Sequence, residues 1–191
     1  MIILKKTQEQ LQASEAEKVI IKDNPLNKMQ RITELLVDWL MICLYLIVLF
    51  LMISIINFFV HGTAFPYYSE ETSQFIAAFT TTIPITLVFA WMEYSWGGTL
   101  GKIFAGLRLV SETKSFGRLL VRNLIKFLPW QLGHMAVFRF MYHEPDALAV
   151  ITYMLSLGLM LILIMMGFWR KDKRHLGDLL AGTQVQPKDL S

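Results

Sequence analysis

The chain has 191 residues, of which 54% are apolar and only 17% charged, and the apolar residues form long blocks. This pattern indicates an integral membrane protein and excludes an ordinary soluble domain. The net charge of +3 comes without a basic recognition element, so no nucleic-acid partner is expected, and a single cysteine, Cys43, excludes a disulfide framework.

The first 29 residues are predicted to form a polar cytoplasmic tail. Asn24 and Pro25 interrupt any helix before the first apolar block. The tail has no apolar core followed by a small-residue cleavage site, so the first membrane span is expected to act as its own insertion signal.

Four membrane spans are predicted, over about residues 35–59, 75–96, 119–141 and 147–169. The first, second and last are long apolar blocks. The third is ambiguous, because the stretch from Pro129 to Tyr142 is short and includes polar side chains. It either crosses the membrane as a continuation of the helix before it or forms a re-entrant segment.

Charged residues mark the beginning of the first span. Arg31 and Asp38 are seven residues apart, so they project from nearly the same helical face, about 10 Å apart along the axis. Glu34 lies between them on that face. Because an unpaired carboxylate is costly in hydrocarbon, Asp38 is either half of a fixed ion pair or the carrier of a proton or cation.

The second span carries Thr80, Thr81 and Thr82 just before Pro84. We expect a kinked helix whose threonine hydroxyls bond to its own carbonyl groups, with a polar lining for an ion path as the alternative. Glu93 lies among aromatic residues at the end of this span, and it is expected to reach the headgroup region.

The segment after the second span is predicted to form a short helix over Thr99–Ala105, a strand over Leu107–Val110 and an amphipathic helix over Phe116–Phe127. Three cations recur at every fourth position of the last helix: Arg118, Arg122 and Lys126. This stripe is typical of a helix lying in a membrane surface. Because like charges at this spacing repel, the stripe is expected to meet phosphates or acids.

The chain after the last span contains Asp178 and a predicted strand, Thr183–Gln186. Asp178 is expected to cap a short helix, or to pair with Arg31 or Arg108. The strand is expected to pair with Leu107–Val110.

The distribution of lysine and arginine predicts the orientation. The loop of residues 61–74 has neither residue and is expected outside, whereas the basic segments 102–126 and 170–174 are expected inside. Both termini are then cytoplasmic, and the ambiguous third segment must cross the membrane.

Three blocks of sequence are similar to the RDD family of small membrane proteins, which is named for one arginine and two aspartates. They are Arg31 with Asp38; Gly97–Lys102 followed by Gly106–Val110, Phe116–Arg118 and Arg122-Asn123; and the basic run ending in Asp178–Thr183. The chain departs from the family pattern at Glu34, where a small residue is usual. It departs again at His175-Leu176-Gly177-Asp178, where the family commonly has the histidine next to the aspartate.

The resemblance implies a charged cluster of Arg31, Asp38 and Asp178, and we expect Arg31 to lie near at least one of the aspartates. Accessory members would be Glu34, Arg108, Arg118 and Arg122. The implied function is transport, in particular sodium/proton exchange, in the inner membrane of a bacterial cell. The alternative is a membrane scaffold or assembly factor that binds a partner through its cytoplasmic side. No catalytic residue, metal or cofactor is expected, and the protein is not expected to be an enzyme.

The predicted fold is an all-α membrane protein, a four-helix transmembrane bundle with a small cytoplasmic cap. The RDD-like domain is expected over residues 30–186, followed by a tail of residues 187–191. Expected partners are the bilayer, anionic lipid headgroups at the cytoplasmic face, and a second copy or another membrane protein.

Overall fold

The computed structural model describes residues 20–143 and 146–190, and within them the protein is mostly helical. The predicted tail therefore lies largely outside the described residues. The long helices are α1 (Lys28–His61), α2 (Glu70–Ala77) continued through a π-helical turn (Ala78–Thr82) into α3 (Ile83–Trp96), α5 (Phe116–Tyr142) and α6 (Ala147–Trp169). The short elements are α4 (Leu100–Phe104), β1 (Leu107–Ser111), α7 (Leu176–Ala181), β2 (Thr183–Pro187) and a 3₁₀ turn (Lys188–Leu190).

The four long helical segments run alternately in opposite directions, and the short elements gather into a cap at one end. Among the described residues, three of these segments are long and apolar enough to cross a membrane: Lys28–His61, Glu70–Trp96 and Ala147–Trp169. The fourth, α5, is about 40 Å long at 1.5 Å per residue, but it is less apolar. The predicted spans thus correspond to four helices, of which three have the composition of membrane spans.

The predicted interfacial helix over Phe116–Phe127 is not a separate element. It is the first part of α5, which continues through Pro129 to Tyr142 without a break. Close packing against α6 holds this region, where the Ser156 hydroxyl donates to the carbonyl oxygen of Pro129 at 2.7 Å. Its charged stripe also departs from the prediction, because Arg122 is buried inside the protein rather than placed on a membrane surface.

Two of the three threonines before Pro84 bond to their own helix, as predicted, whereas the buried hydroxyl of Thr82 has no partner among the described residues. The hydroxyls of Thr80 and Thr81 donate to carbonyl oxygens four residues earlier, both at 2.6 Å. The helix widens into the π-helical turn just before Pro84, where proline has no N–H to offer. The irregularity is thus confined to one turn.

The predicted strand pairing is confirmed. Strands β1 and β2 form a two-stranded antiparallel ribbon, with Leu107 opposite Pro187 and Ser111 opposite Thr183. Leu107 and Val185 are fully buried and pack with Leu26, which precedes α1. The side chain of Asn24 also donates to the carbonyl oxygen of Val185 at 2.7 Å. The end of the predicted tail therefore contributes to the cap.

Helix α1 is unusual in the chemistry of its buried face. Its buried residues are Arg31, Glu34, Asp38 and Ile42, whereas most of its large apolar side chains are exposed. A helix of a soluble protein shows the opposite pattern. The apolar exterior fits a lipid environment, so what α1 presents to the rest of the protein is mainly charge.

Candidate functional site

Eight charged side chains meet where the cap joins the long helices, and we call them the charge network. Its cations are Arg31, Lys102, Arg122 and Lys126, and its carboxylates are Glu34, Asp38, Glu93 and Asp178. All are buried except Lys126, whose side chain is 20% exposed. Four positive charges face four negative ones, so the formal charge of the network is zero.

Lys102 lies at the centre of the network. Its Nζ is 2.9 Å from Glu34 Oε1 on α1 and 3.0 Å from Glu93 Oε1 on α3. Burial disfavours the charged form of the ammonium and lowers its pKa. The carboxylates of Glu34 and then Glu93 outweigh this effect, so the pKa of Lys102 is raised. A single ammonium group therefore joins two long helices to the cap while remaining charged.

The approach of α4 to α1 depends on Gly101. A Cβ atom at this position would lie 2.2 Å from the backbone carbonyl oxygen of Glu34. With no side chain there, the N–H of Gly101 comes close enough to donate to Asp38 Oδ1 at 3.0 Å. Thr99 caps α4 and donates its hydroxyl to Asp38 Oδ2 at 2.9 Å.

Arg122 connects α5 to both α3 and the cap. Its Nη1 donates to Glu93 Oε1 at 2.5 Å, and its Nε donates to Asp178 Oδ1 at 2.6 Å. Asn123 donates to the other oxygen of Glu93 at 2.7 Å. Each buried carboxylate thereby receives a charged partner and at least one more hydrogen bond, which is what burial of charge requires.

The N-cap of α7 is His175 rather than Asp178, but Asp178, at the third position of the helix, closes the capping box, so the predicted capping role is confirmed in this form. Asp178 accepts from the backbone N–H of His175, at 3.3 Å, and from the Thr183 hydroxyl, at 2.8 Å. Burial alone would raise the pKa of Asp178, but Arg122 outweighs this effect and holds the pKa below its ordinary value.

His175 occupies the other half of that capping box. Its Nδ1 accepts from the N–H of Gly177 at 3.0 Å, which only a neutral imidazole can do. Nε2 then carries the hydrogen, and it lies 3.2 Å from Asp178 Oδ2. Burial, assisted by Arg122, lowers the pKa of His175 to about 3 despite the opposing effect of Asp178.

This lowered pKa makes cap stability depend on pH. The unfolded chain protonates His175 below its ordinary pKa of 6.5, whereas the folded protein does so only near a pKa of about 3. Between these values the unfolded state binds more protons, so stability falls as pH is lowered through this window. We expect His175→Asn, which retains a capping side chain, to lessen the drop in unfolding temperature between about pH 7 and about pH 5.

Thermal unfolding of the detergent-solubilised protein measures this effect. His61→Asn is the matched control, because His61 is exposed at the far end of α1. An equal pH dependence in wild type and His175→Asn would contradict the assignment of a buried neutral imidazole.

The three residues for which the resembled family is named all belong to the network, but their pairing differs from the prediction. Arg31 Nη1 bonds to Glu34 Oε2 at 2.8 Å rather than to an aspartate, although Arg31 lies close enough to Asp178 to help lower the pKa of that carboxyl. The cations nearest Asp38 and Asp178 are Lys126 and Arg122. Glu34 has the advantage of lying one turn from Arg31 on the same helix, whereas Asp38 is two turns away.

The accessory residues divide into two groups. Glu34 and Arg122 belong to the network, whereas Arg118 is exposed on the first turn of α5. Arg108 lies in β1 opposite Gln186, and its Nε has no hydrogen-bond partner among the described residues. The expected pairing of Asp178 with Arg31 or Arg108 is therefore replaced by its pairing with Arg122.

Sequence reasoning missed Glu93, Lys102 and Lys126 as members of this site. Glu93 is 2% exposed and does not reach outward toward a headgroup region. A signal was present, because a lone acid within an apolar span requires a partner. Lys102 ends the glycine-rich block of the sequence, and only the close approach at Gly101 brings its ammonium to Glu34 and Glu93.

The model of the RDD family matches residues 27–182 of the chain. The match includes every residue of the charge network. No curated protein and no solved structure matches the chain. Within residues 20–143 and 146–190, no group of three or more His, Cys, Asp or Glu side chains is arranged to hold a metal ion.

Proposed function

The chain belongs to the RDD family of membrane proteins, and from this premise we propose that it exchanges a monovalent cation for a proton, with Asp38 as the exchanging carboxylate. By the family resemblance the cation is sodium. The chain would be a multi-pass protein of the inner membrane of a bacterial cell, with α5 as its fourth crossing and both termini cytoplasmic. The absence of lysine and arginine from residues 61–74 supports this orientation.

The observation that carries this proposal is the long ion pair of Asp38. Within residues 20–143 and 146–190, the only cation paired with Asp38 is Lys126, at 3.4 Å, whereas Glu34, Glu93 and Asp178 each have a cation within 2.9 Å. Lys126 is also the most exposed member of the network, and its Nζ lies 4.6 Å from the ring centroid of Phe89. This ammonium is therefore the one that an incoming cation displaces most readily.

The negative charge of Asp38 is neutralised whether a proton or a sodium ion is bound. The carboxylate binds a proton or a sodium ion, never both, and Lys126 moves away when either arrives. The hydroxyl of Thr99 rotates to offer an oxygen to the metal ion in place of its hydrogen bond. Since four helices hardly enclose a pathway alone, we propose that the transporting unit contains a second copy or a partner membrane protein.

Asp38→Asn is expected to abolish exchange while leaving the protein folded. Asparagine retains an acceptor for the N–H of Gly101, its NH₂ group donates to the Thr99 hydroxyl once that hydroxyl rotates, and Lys126 is exposed enough to remain hydrated. Purified protein in liposomes, given a sodium gradient, is monitored with a trapped pH dye. We expect the sodium-dependent pH change to fall at least tenfold in this variant.

Asp189→Asn is the matched control, because Asp189 is exposed in the 3₁₀ turn after β2. Its exchange rate is expected to equal that of wild type. Normal exchange in a well-folded Asp38→Asn protein would refute the role of Asp38.

A structural role is the second candidate, favoured by the neutrality of the network. The network ties α1, α3, α5 and the cap together with every charge compensated, as a membrane scaffold that presents its cap to a partner protein would require. Wild-type protein that is folded in liposomes but dissipates no sodium or proton gradient would favour this role.

A further inference from the structure

A groove runs beside the charge network, between α1, α5 and α6. Its volume is about 710 Å³, within the usual range for small-molecule sites. Along α5 its lining extends from Arg122 to Val137, about 22 Å at 1.5 Å per residue. That length equals the acyl thickness of one bilayer leaflet, about 15 Å, plus the depth of a headgroup.

The chemistry of the groove changes from one end to the other. At the cap end it is lined by charged side chains, among them Arg31, Lys126 and Asp38, and farther from the cap mostly by apolar ones such as Val137 and Met160. A ligand that matches both ends must be an amphiphile.

The charges that face the groove favour an anionic head. Arg31 donates one of its five N–H groups, to Glu34, and makes no other hydrogen bond or ion pair within the described part of the chain. Lys126 holds Asp38 only at 3.4 Å and is 20% exposed, whereas the side chains of Glu34 and Asp38 are 2% and 4% exposed. Lys126 is thus more accessible than the carboxylates beside it, and Arg31, although only 6% exposed, has N–H groups left to donate.

We propose that this groove binds one anionic phospholipid, with its phosphate between Arg31 and Lys126 and one acyl chain along α6. Arginine and lysine are the side chains that bind phosphate best. Trp130 lines the groove one helical turn, about 6 Å, beyond Lys126, at the depth of the ester carbonyl groups. Its indole N–H is buried and has no acceptor among the described residues.

Native mass spectrometry of the detergent-purified protein tests the site. The protein is titrated with dioleoyl phosphatidylglycerol, and separately with dioleoyl phosphatidylcholine. We expect one phosphatidylglycerol to be retained at detergent concentrations that strip phosphatidylcholine. Ile164→Trp, which fills the groove, is expected to reduce this retention at least fivefold.

Ile162→Trp is the matched control, because Ile162 lies on the same helix, is exposed and does not line the groove. It is expected to retain phosphatidylglycerol as wild type does. Lys126→Gln should remove the preference for phosphatidylglycerol over phosphatidylcholine, and inorganic phosphate at the same concentration should not displace the lipid.

Three results would overturn the proposal. Equal retention in the Ile164→Trp and Ile162→Trp proteins would place the lipid elsewhere on the surface. Displacement by inorganic phosphate would show that the cations bind a free anion rather than a lipid. A dimer that Ile164→Trp dissociates would show that the groove receives a second copy. Because the measurement involves no ion flux, its result is independent of the exchange activity of Asp38.

Discussion

Arg122→Met is expected to abolish the recovery of folded protein. The substitution retains an unbranched side chain of similar length, but it removes the cation paired with Asp178 and one of the two cations paired with Glu93, and both carboxylates are at most 2% exposed. Removing one partner of a buried ion pair costs about 3–5 kcal/mol, and here two carboxylates lose the same partner. The whole stability of a domain is only about 5–15 kcal/mol, so the folded state should not persist.

The measurement is the fraction of detergent-solubilised protein that elutes as a single symmetrical species in gel filtration. Arg118→Met is the matched control, since it changes the same residue type one turn earlier, where the side chain is exposed. It should behave as wild type. Equal recovery of the two variants would show that the ion pairs of Arg122 are not required for folding.

A compensating variant tests whether Arg122→Met fails because the charge is lost or because the packing of the side chain is lost. If Arg122→Met fails because Asp178 is left without a cation, adding Asp178→Asn should restore much of the folded fraction. Glu93 keeps its ion pair with Lys102 at 3.0 Å, and the network is neutral again. Replacing a whole buried ionic group by neutral residues is often tolerated, whereas removing one partner is not. Failure of this rescue would mean that the shape of the guanidinium, rather than its charge, is required.

The helices and the ribbon were predictable because they depend on local patterns. Uninterrupted apolar blocks determine where α1, α3 and α6 lie, and the alternation of Thr183–Gln186 indicated a strand that β1 could pair with. The capping role of Asp178 was also local, because the contacts of a helix N-terminus involve only the next few residues.

The ion pairs were not predictable, because they depend on how far each helix is rotated and how deep it lies. The cation stripe of α5 was visible as a period, but a period does not say whether lipid headgroups or the buried acid Glu93 cover it. Likewise, the i, i+7 spacing placed Arg31 and Asp38 on one face without showing that Lys126, from another helix, would reach Asp38. Pairing across helices is a property of packing.

The proposals give the two ends of the network different roles. Glu93, Lys102 and Arg122 are almost fully enclosed and tightly paired, which suits a fixed joint between the bundle and the cap. Asp38 and Lys126 border the groove and are loosely paired, which suits exchange or ligand binding. Variants of the first group are therefore expected to change folding, and variants of the second to change activity.

Gly101→Ala is expected to separate α4 from α1, although it adds only one methyl group. The new Cβ would lie 2.2 Å from the carbonyl oxygen of Glu34 and 2.6 Å from Asp38 Oδ1. The first of these atoms belongs to the backbone of a long helix and cannot rotate away, so α4 must move. Overpacking of this kind costs about 1–3 kcal/mol or more, and the movement also withdraws Lys102 from Glu34.

Gly158→Ala is the matched control, because a Cβ at Gly158 in the middle of α6 meets no atom within 4 Å. Alanine is favoured over glycine in a helix by up to about 1 kcal/mol, so this variant should unfold at the same temperature as wild type or slightly higher. Gly101→Ala should unfold at least several degrees lower.

Lysine acylation followed by mass spectrometry shows whether the cause is the predicted movement. Lys102 is fully buried, so it should be protected in wild type and become modified in Gly101→Ala, whereas the exposed Lys114 should react in both. Continued protection of Lys102 together with an unchanged unfolding temperature would mean that α4 does not pack against α1 at Gly101. Because the same glycine positions the N–H that binds Asp38, a displaced α4 should also weaken cation exchange.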